Sequence, residues 1–154
     1  MYKLSDRSKS NLKGVHPKLI AVVERAIEIT NTDFGVIEGV RSIETQRDYV
    51  ERGVSQTMKS KHLTQYDGNS HAVDIMAYIG SRGSWEITLY DNIADAMKQA
   101  ATEYCVSLKW GACWHIDNIV DYKGTMQEAT DEYVKLRISQ GRRPFIDGPH
   151  FELS

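Results

Sequence analysis

The segment HAVDIMAYI (71–79) limits the fold more than any other stretch of the chain. Its β-branched and aromatic residues, following the turn-rich QYDGNS, predict a strand. Side chains alternate across a strand. His71, Val73, Ile75, Ala77 and Ile79 therefore share one face, and Ala72, Asp74, Met76 and Tyr78 share the other. His71 and Asp74, though close in sequence, should not meet in one site. His62 lies outside the strand, across a loop, and is free to fold back onto the Asp74 face. The carboxyl-terminal FIDGPHFEL (145–153) predicts a turn leading into a last strand. There His150 and Glu152 fall on one face, Phe151 and Leu153 on the other. The apolar pair takes the core side and leaves His150 facing a cleft.

A His/Asp/His set with one open position is a catalytic zinc arrangement in kind, because three protein ligands leave the fourth place for water. Zinc lowers the pKa of that water to about 7. A nearby carboxylate can take its proton and pass it to a leaving amine. Asp147 stands three residues before His150, across a Gly-Pro turn. Spacing alone leaves blander readings open: a solvated loop histidine at 62, and a turn dipeptide at Asp147-Gly148.

Elsewhere the pattern alternates helix and strand. Residues 1–14 are polar and read as an arm. Pro17 suits a first helical turn, and Leu19, Val22, Val23, Ala26 and Ile27 predict an amphipathic helix over 17–30. Strands are expected at 34–40 and 106–111, and helices at 42–52, 87–105 and 125–140, with Gly53 and Gly141 as stops. No strand is a long aliphatic run and no glycine-rich phosphate loop follows the first one. A small α+β domain is therefore favoured over a doubly wound parallel sheet. With 154 residues the chain suffices for one domain, and a net charge of −2 gives no general pull toward nucleic acid or anionic membrane. No apolar run approaches the roughly 20 residues of a membrane span, and the amino terminus lacks the apolar core of a signal peptide. Cys105 and Cys113 are too few for a disulfide framework and are expected as free thiols.

These segments together resemble the zinc peptidases that include D-alanyl-D-alanine carboxypeptidases and phage L-alanyl-D-glutamate endolysins. That family's pattern runs Ser-x-His, a short loop, Gly-x-Ala-x-Asp, then Asp/Glu-x-x-His. Ser60-Lys61-His62 matches the first part. Ser70-His71-Ala72-Val73-Asp74 matches the second, with Ser70 in the glycine's place. Asp147-Gly148-Pro149-His150 matches the third. EGVRSIETQ (38–46) resembles the family's Arg-containing strand-to-helix turn, and LKWGACW (108–114) its tryptophan-glycine segment. The resemblance covers residue 15 to the carboxyl terminus, in order. It implies a hedgehog/DD-peptidase-like fold, a small antiparallel sheet flanked by helices. It implies one zinc ion per chain on His62, Asp74 and His150, with Asp147 as general base and then acid. Arg41 would stabilise the oxyanion or grip a substrate carbonyl or carboxylate, and Ser60 would be a hydrogen-bond partner behind the ligands.

Two departures stand out. Eleven residues separate His62 from Asp74 where the short-loop pattern has six, and lengthening a surface loop costs only about 0.6 kcal/mol per doubling. The site is therefore expected intact, with 65–69 as a bulge and Asp67 as a turn residue beside Gly68. Cys113 stands where many relatives carry an acid. A structural zinc site from Cys113, His115 and either His16 or His71 is a minor alternative, lacking any paired CxxC or HxxxH. The reading that follows is a single catalytic domain over 1–154, monomeric, acting on bacterial peptidoglycan and not on nucleic acid or membrane. It would cut the stem peptide between L-alanine and D-glutamate. It would be made in the host cytoplasm and reach the wall through a separate pore. The rivals are a D-alanyl-D-alanine carboxypeptidase and a wall-binding module without catalysis.

Overall fold

The computed structural model describes residues 1–154. The helices begin where short polar side chains cap them. Ser42 accepts from the Thr45 amide at the start of α3 (Ile43–Glu51), and Thr125 with Glu128 forms a reciprocal capping box at α5 (Met126–Ser139). Pro17 opens α2 (Pro17–Ile29), whose buried residues Leu19, Val22, Val23, Ala26 and Ile27 form the expected apolar stripe. The longest helix, α4 (Ile87–Tyr104), packs beside α2. It ends at Cys105, whose φ of 56° is the only positive value outside glycine.

The strands are β1 (Asp33–Glu38), β2 (Ala72–Ile79), β3 (Arg82–Ser84), β4 (Leu108–Trp110) and β5 (His150–Leu153). They form one antiparallel sheet in the order β1-β2-β5-β4, with β3 beside the far end of β2. The fold is thus α+β with a small antiparallel sheet and flanking helices, as the sequence predicts. Val73, Ile75 and Ala77 of β2 are buried in the core with Phe34, Val36, Phe151, Leu108 and Trp110. Asp74, Met76 and Tyr78 lie on the opposite, partly open face. The short β3 and a 3-10 turn at Ile119–Asp121 carry no periodicity that a sequence reading could find.

The amino-terminal stretch is not a free arm. It carries α1 (Asp6–Asn11), packed along the outer edge of β1. The Val36 amide donates to Ser8 Oγ (2.9 Å) and Asn11 Nδ2 donates to the Val36 carbonyl (2.8 Å). An edge strand leaves a row of unpaired backbone groups, and α1 satisfies the two at Val36.

Candidate metal centre

Three elements meet on the open face of β2. Asp74 lies on β2 itself. His150 opens β5 and is paired in register with Asp74. His62 arrives on the loop after α3. The carboxylate oxygen Asp74 Oδ1 lies 3.2 Å from His62 Nε2 and 3.3 Å from His150 Nδ1. All three ligand atoms fall within 4.8 Å of one another. Zinc–ligand bonds of 2.0–2.1 Å in a tetrahedron imply ligand-to-ligand separations of about 3.3 Å, which both measured pairs match.

The hydrogen bonds fix which nitrogens carry protons. His62 Nδ1 lies 2.8 Å from the Gly39 carbonyl, which can only accept, so Nδ1 bears the proton. His62 Nε2 is then a bare lone pair, fully buried and without a hydrogen-bond partner. It points at a carboxylate oxygen, which is also an acceptor. On His150, Nε2–H donates to Glu152 Oε1 at 2.8 Å, which turns the Nδ1 lone pair toward Asp74. Three electron pairs converging in a buried pocket call for a cation. Without one, a proton is the substitute. Burial opposes charge on His150, but its hydrogen bonds to Asp74 and Glu152 prevail and raise it to about 9. Burial likewise works against ionised Asp74, and the two histidines outweigh it, holding its carboxyl far below the usual range.

The supporting groups are held just as firmly. Ser60 Oγ accepts from the His62 amide (3.2 Å), and the His62 carbonyl accepts from the Arg41 amide (2.9 Å). Gly39 needs its missing side chain: an added Cβ would strike the Asn11 carbonyl and come 2.8 Å from Val15 Cγ2. Arg41 is almost enclosed, and every guanidinium nitrogen is engaged. Nε and Nη2 clasp Glu38 (2.6 and 3.0 Å), Nη1 donates to Gln46 (2.7 Å), and Nη2 also reaches Asp74 Oδ2 (3.4 Å). Arg41 therefore braces Asp74, a candidate metal ligand, with four of its five N–H donors engaged and one on Nη1 left over.

Glu38 reaches Arg41 because of a β-bulge. Val36 pairs with Ile75, but Glu38, two residues on, pairs with Asp74. The extra residue, Ile37, turns Glu38 from the core face to the Asp74 face. Nothing in EGVRSIETQ signals that shift. Glu152 is the second residue whose part sequence reasoning did not assign, although its place on the His150 face was legible.

Asp147 lines the same cleft, of about 1100 Å³, together with Arg41, His62, Asp74 and His150. Its turn is anchored by the tryptophan-glycine segment. Trp110 Nε1 donates to the Gly148 carbonyl (2.7 Å), and the Asp147 amide donates to the Gly111 carbonyl (2.8 Å). A side chain at Gly111 would collide with the Asp147 backbone. Burial, and next the charge of Asp74, push the Asp147 carboxyl above its ordinary value, against the pull of His150, His62 and Arg41. The other histidines lie elsewhere. His71 Nε2 pairs with Asp67 (2.7 Å), with His16 Nε2 3.6 Å from the same oxygen, and His115 pairs with Glu132 (3.0 Å). Asp67 is thus a staple as well as a turn residue. Cys113 is buried, Cys105 exposed, and both are free thiols. No metal-ligand group forms around Cys113.

The chain is 28% identical over 133 residues to the L-alanyl-D-glutamate peptidase of Escherichia phage T5, covering 84% of this chain and 92% of that one. It also superimposes on the crystal structure of the Serratia marcescens L-Ala D-Glu endopeptidase ChiX. There the TM-score is 0.71 and the identity 35%, over 97% of this chain and 87% of the other. The phage L-alanyl-D-glutamate peptidase family model matches residues 1–154 from end to end. A peptidase fold that brings His62, Asp74 and His150 together under a match of that length leaves no place for a wall-binding module without catalysis, and the chain belongs to the phage L-alanyl-D-glutamate peptidase family.

Proposed function

We propose that the protein is a zinc-dependent peptidoglycan endopeptidase that hydrolyses the amide between L-alanine and D-glutamate in the stem peptide. One zinc ion per chain would be held by His62 Nε2, Asp74 Oδ1 and His150 Nδ1. The observation that carries this is the His62 Nε2 lone pair, buried, unpartnered and 3.2 Å from a carboxylate oxygen. Zinc bound there supplies a Lewis acid and a water acidified to near neutrality.

The protein's own groups do the rest. Asp147 accepts the proton of the attacking water and returns it to the D-glutamyl nitrogen as the C–N bond breaks, so that water and amide yield a carboxylate and an amine. Its raised pKa makes it a stronger base toward that water and lets it hold the proton until the leaving nitrogen takes it. Arg41 keeps its charge at every working pH. With its donors on Glu38, Gln46 and Asp74, it aids the developing oxyanion through its field and through the position of Asp74. Ser60 keeps His62 in place from behind. We further infer a single catalytic domain acting as a monomer on the cell wall. Synthesis in the host cytoplasm and passage through a separate pore fit this reading. No helix is long and apolar enough to cross a membrane.

Mass spectrometry of muropeptides after digestion tests the bond. The expected products carry a new D-glutamyl amino terminus, whereas loss of a terminal D-alanine would make the enzyme a carboxypeptidase. Metal analysis tests the site: His62→Ala should lose zinc and His71→Ala should keep it.

A further inference from the structure

Trp85 follows β3 at the rim of the cleft and is 62% exposed. Its indole lies parallel to the ring of buried Tyr90 (8° between planes, centroids 6.2 Å apart). Tyr90 is rigid: its hydroxyl donates to the Ser84 carbonyl (2.8 Å) and accepts from the Ala77 amide (3.1 Å). Tyr90 also abuts the turn that carries Asp147. A Cβ at Gly148 would lie 3.1 Å from Ile87 Cδ1 and 3.3 Å from Tyr90 Cβ. A broad aromatic face, backed by a rigid ring, therefore stands open to solvent in the cleft that also holds the candidate base.

The substrate of the proposed reaction says what that face meets. In a peptidoglycan stem the L-alanine amine is joined to the lactyl group of a muramic acid. A sugar ring therefore lies one residue from the scissile carbonyl. An alanyl methyl cannot cover an indole, but a pyranose can, with its slightly positive C–H bonds against the negative π face. Beyond D-glutamate the stem carries free carboxylates. The topology provides a matching flank. β1 runs along one edge of β2, with β5 and β3 along the other. On the β1 side, the segment RGVSQTMKSKH (52–62) contains no acid and brings Lys59 and Lys61 to the cleft, while Arg52 is paired with Asp48 (2.9 Å). On the Trp85 side, Arg137 is turned to the Arg143 carbonyl (3.0 Å).

We propose that the open face of Trp85 is a glycan subsite that stacks on the sugar ring adjoining the scissile bond, with the anionic stem running toward Lys59 and Lys61. The proposal rests on the endopeptidase reading above.

The test compares two substrates with the same stem, one a GlcNAc-MurNAc peptide and the other an acetyl-capped peptide without sugar. For the wild type, kcat/KM is expected to be higher on the glycan substrate by on the order of tenfold. Trp85→Ala should abolish that preference through KM and leave the capped peptide unchanged, and Trp85→Tyr should restore most of it. Equal losses on both substrates in Trp85→Ala, or no glycan preference in the wild type, would overturn the subsite while the endopeptidase reading stands. Wild-type protein that cuts neither substrate after L-alanine overturns that reading instead. Circular dichroism and zinc content of each variant show that the exposed substitution leaves fold and metal intact.

Discussion

Removing the Glu152 carboxylate should weaken metal binding without touching a ligand. Glu152 Oε1 accepts from His150 Nε2–H at 2.8 Å, and this bond keeps the Nδ1 lone pair toward Asp74. In Glu152→Ala the Nε2–H of a buried histidine loses its acceptor, and the tautomer with the proton on Nδ1, facing Asp74, becomes competitive. A charge-assisted hydrogen bond contributes about 1.5–3 kcal/mol. The Glu152 side chain is only 16% exposed, but Lys109 and Lys61 already balance part of its charge. The lower half of that range applies, about 1.5–2 kcal/mol, or roughly a tenfold to thirtyfold weaker Kd. Outer partners of metal-bound histidines show losses of about that order. Glu152→Gln keeps a neutral acceptor and should lose about half as much free energy. The assay is zinc competition against a chromogenic chelator at neutral pH. Glu132→Ala, which removes the partner of the distant His115, serves as a control and should leave affinity unchanged. Glu152→Ala binding zinc as tightly as wild type, or Glu152→Gln binding more weakly than Glu152→Ala, would show that Glu152 does not orient His150 for the metal.

Asp147→Asn should keep zinc and lose about 10²–10⁴-fold in turnover, since an amide cannot accept the water proton; single-turnover cleavage of a muropeptide with parallel metal analysis checks both halves. Asp67→Ala should retain zinc, since Asp67 staples His71 and His16 rather than the metal triad, and should speed amide exchange across 63–70, as hydrogen-exchange mass spectrometry can show. Asp91 provides a pH prediction. Burial, then Asp95 and Asp131, raise its carboxyl to about 6 in the folded protein. Relative to the unfolded chain the folded state binds the extra proton, so this contribution to stability is full below about pH 4 and is lost as pH rises through 6. Asp91→Asn should therefore be more stable than wild type at pH 7, by about 1–2 kcal/mol, and the advantage should vanish near pH 4; denaturant melts at the two pH values measure it.

Much of the architecture was open to a sequence reading because its causes are local. The alternation in 71–79 sends Val73, Ile75 and Ala77 to the core and Asp74 to the open face. The period-3.6 stripe of 17–30 and the caps at Ser42 and Thr125 act within a few residues. The same alternation turned His150 and Glu152 to one side, so a cleft facing Asp74 followed from two short strands and a flexible loop. What remained hidden depends on which strands pair and on what their edges require. The bulge at Ile37 arises from the pairing of β1 with β2, and it alone turns Glu38 toward Arg41. That pairing commits two of the five Arg41 donors to Glu38, a result no local pattern carries. The polar residues 1–14 hold a helix because β1 is an edge strand with unpaired groups at Val36, which Ser8 and Asn11 satisfy. Asp67 meets His16 across fifty residues of chain only once the β2 entry and the α2 start lie side by side. Periodicity determines which way a side chain points within its own element; which partner it meets is decided when the sheet closes its hydrogen bonds and its edges are covered.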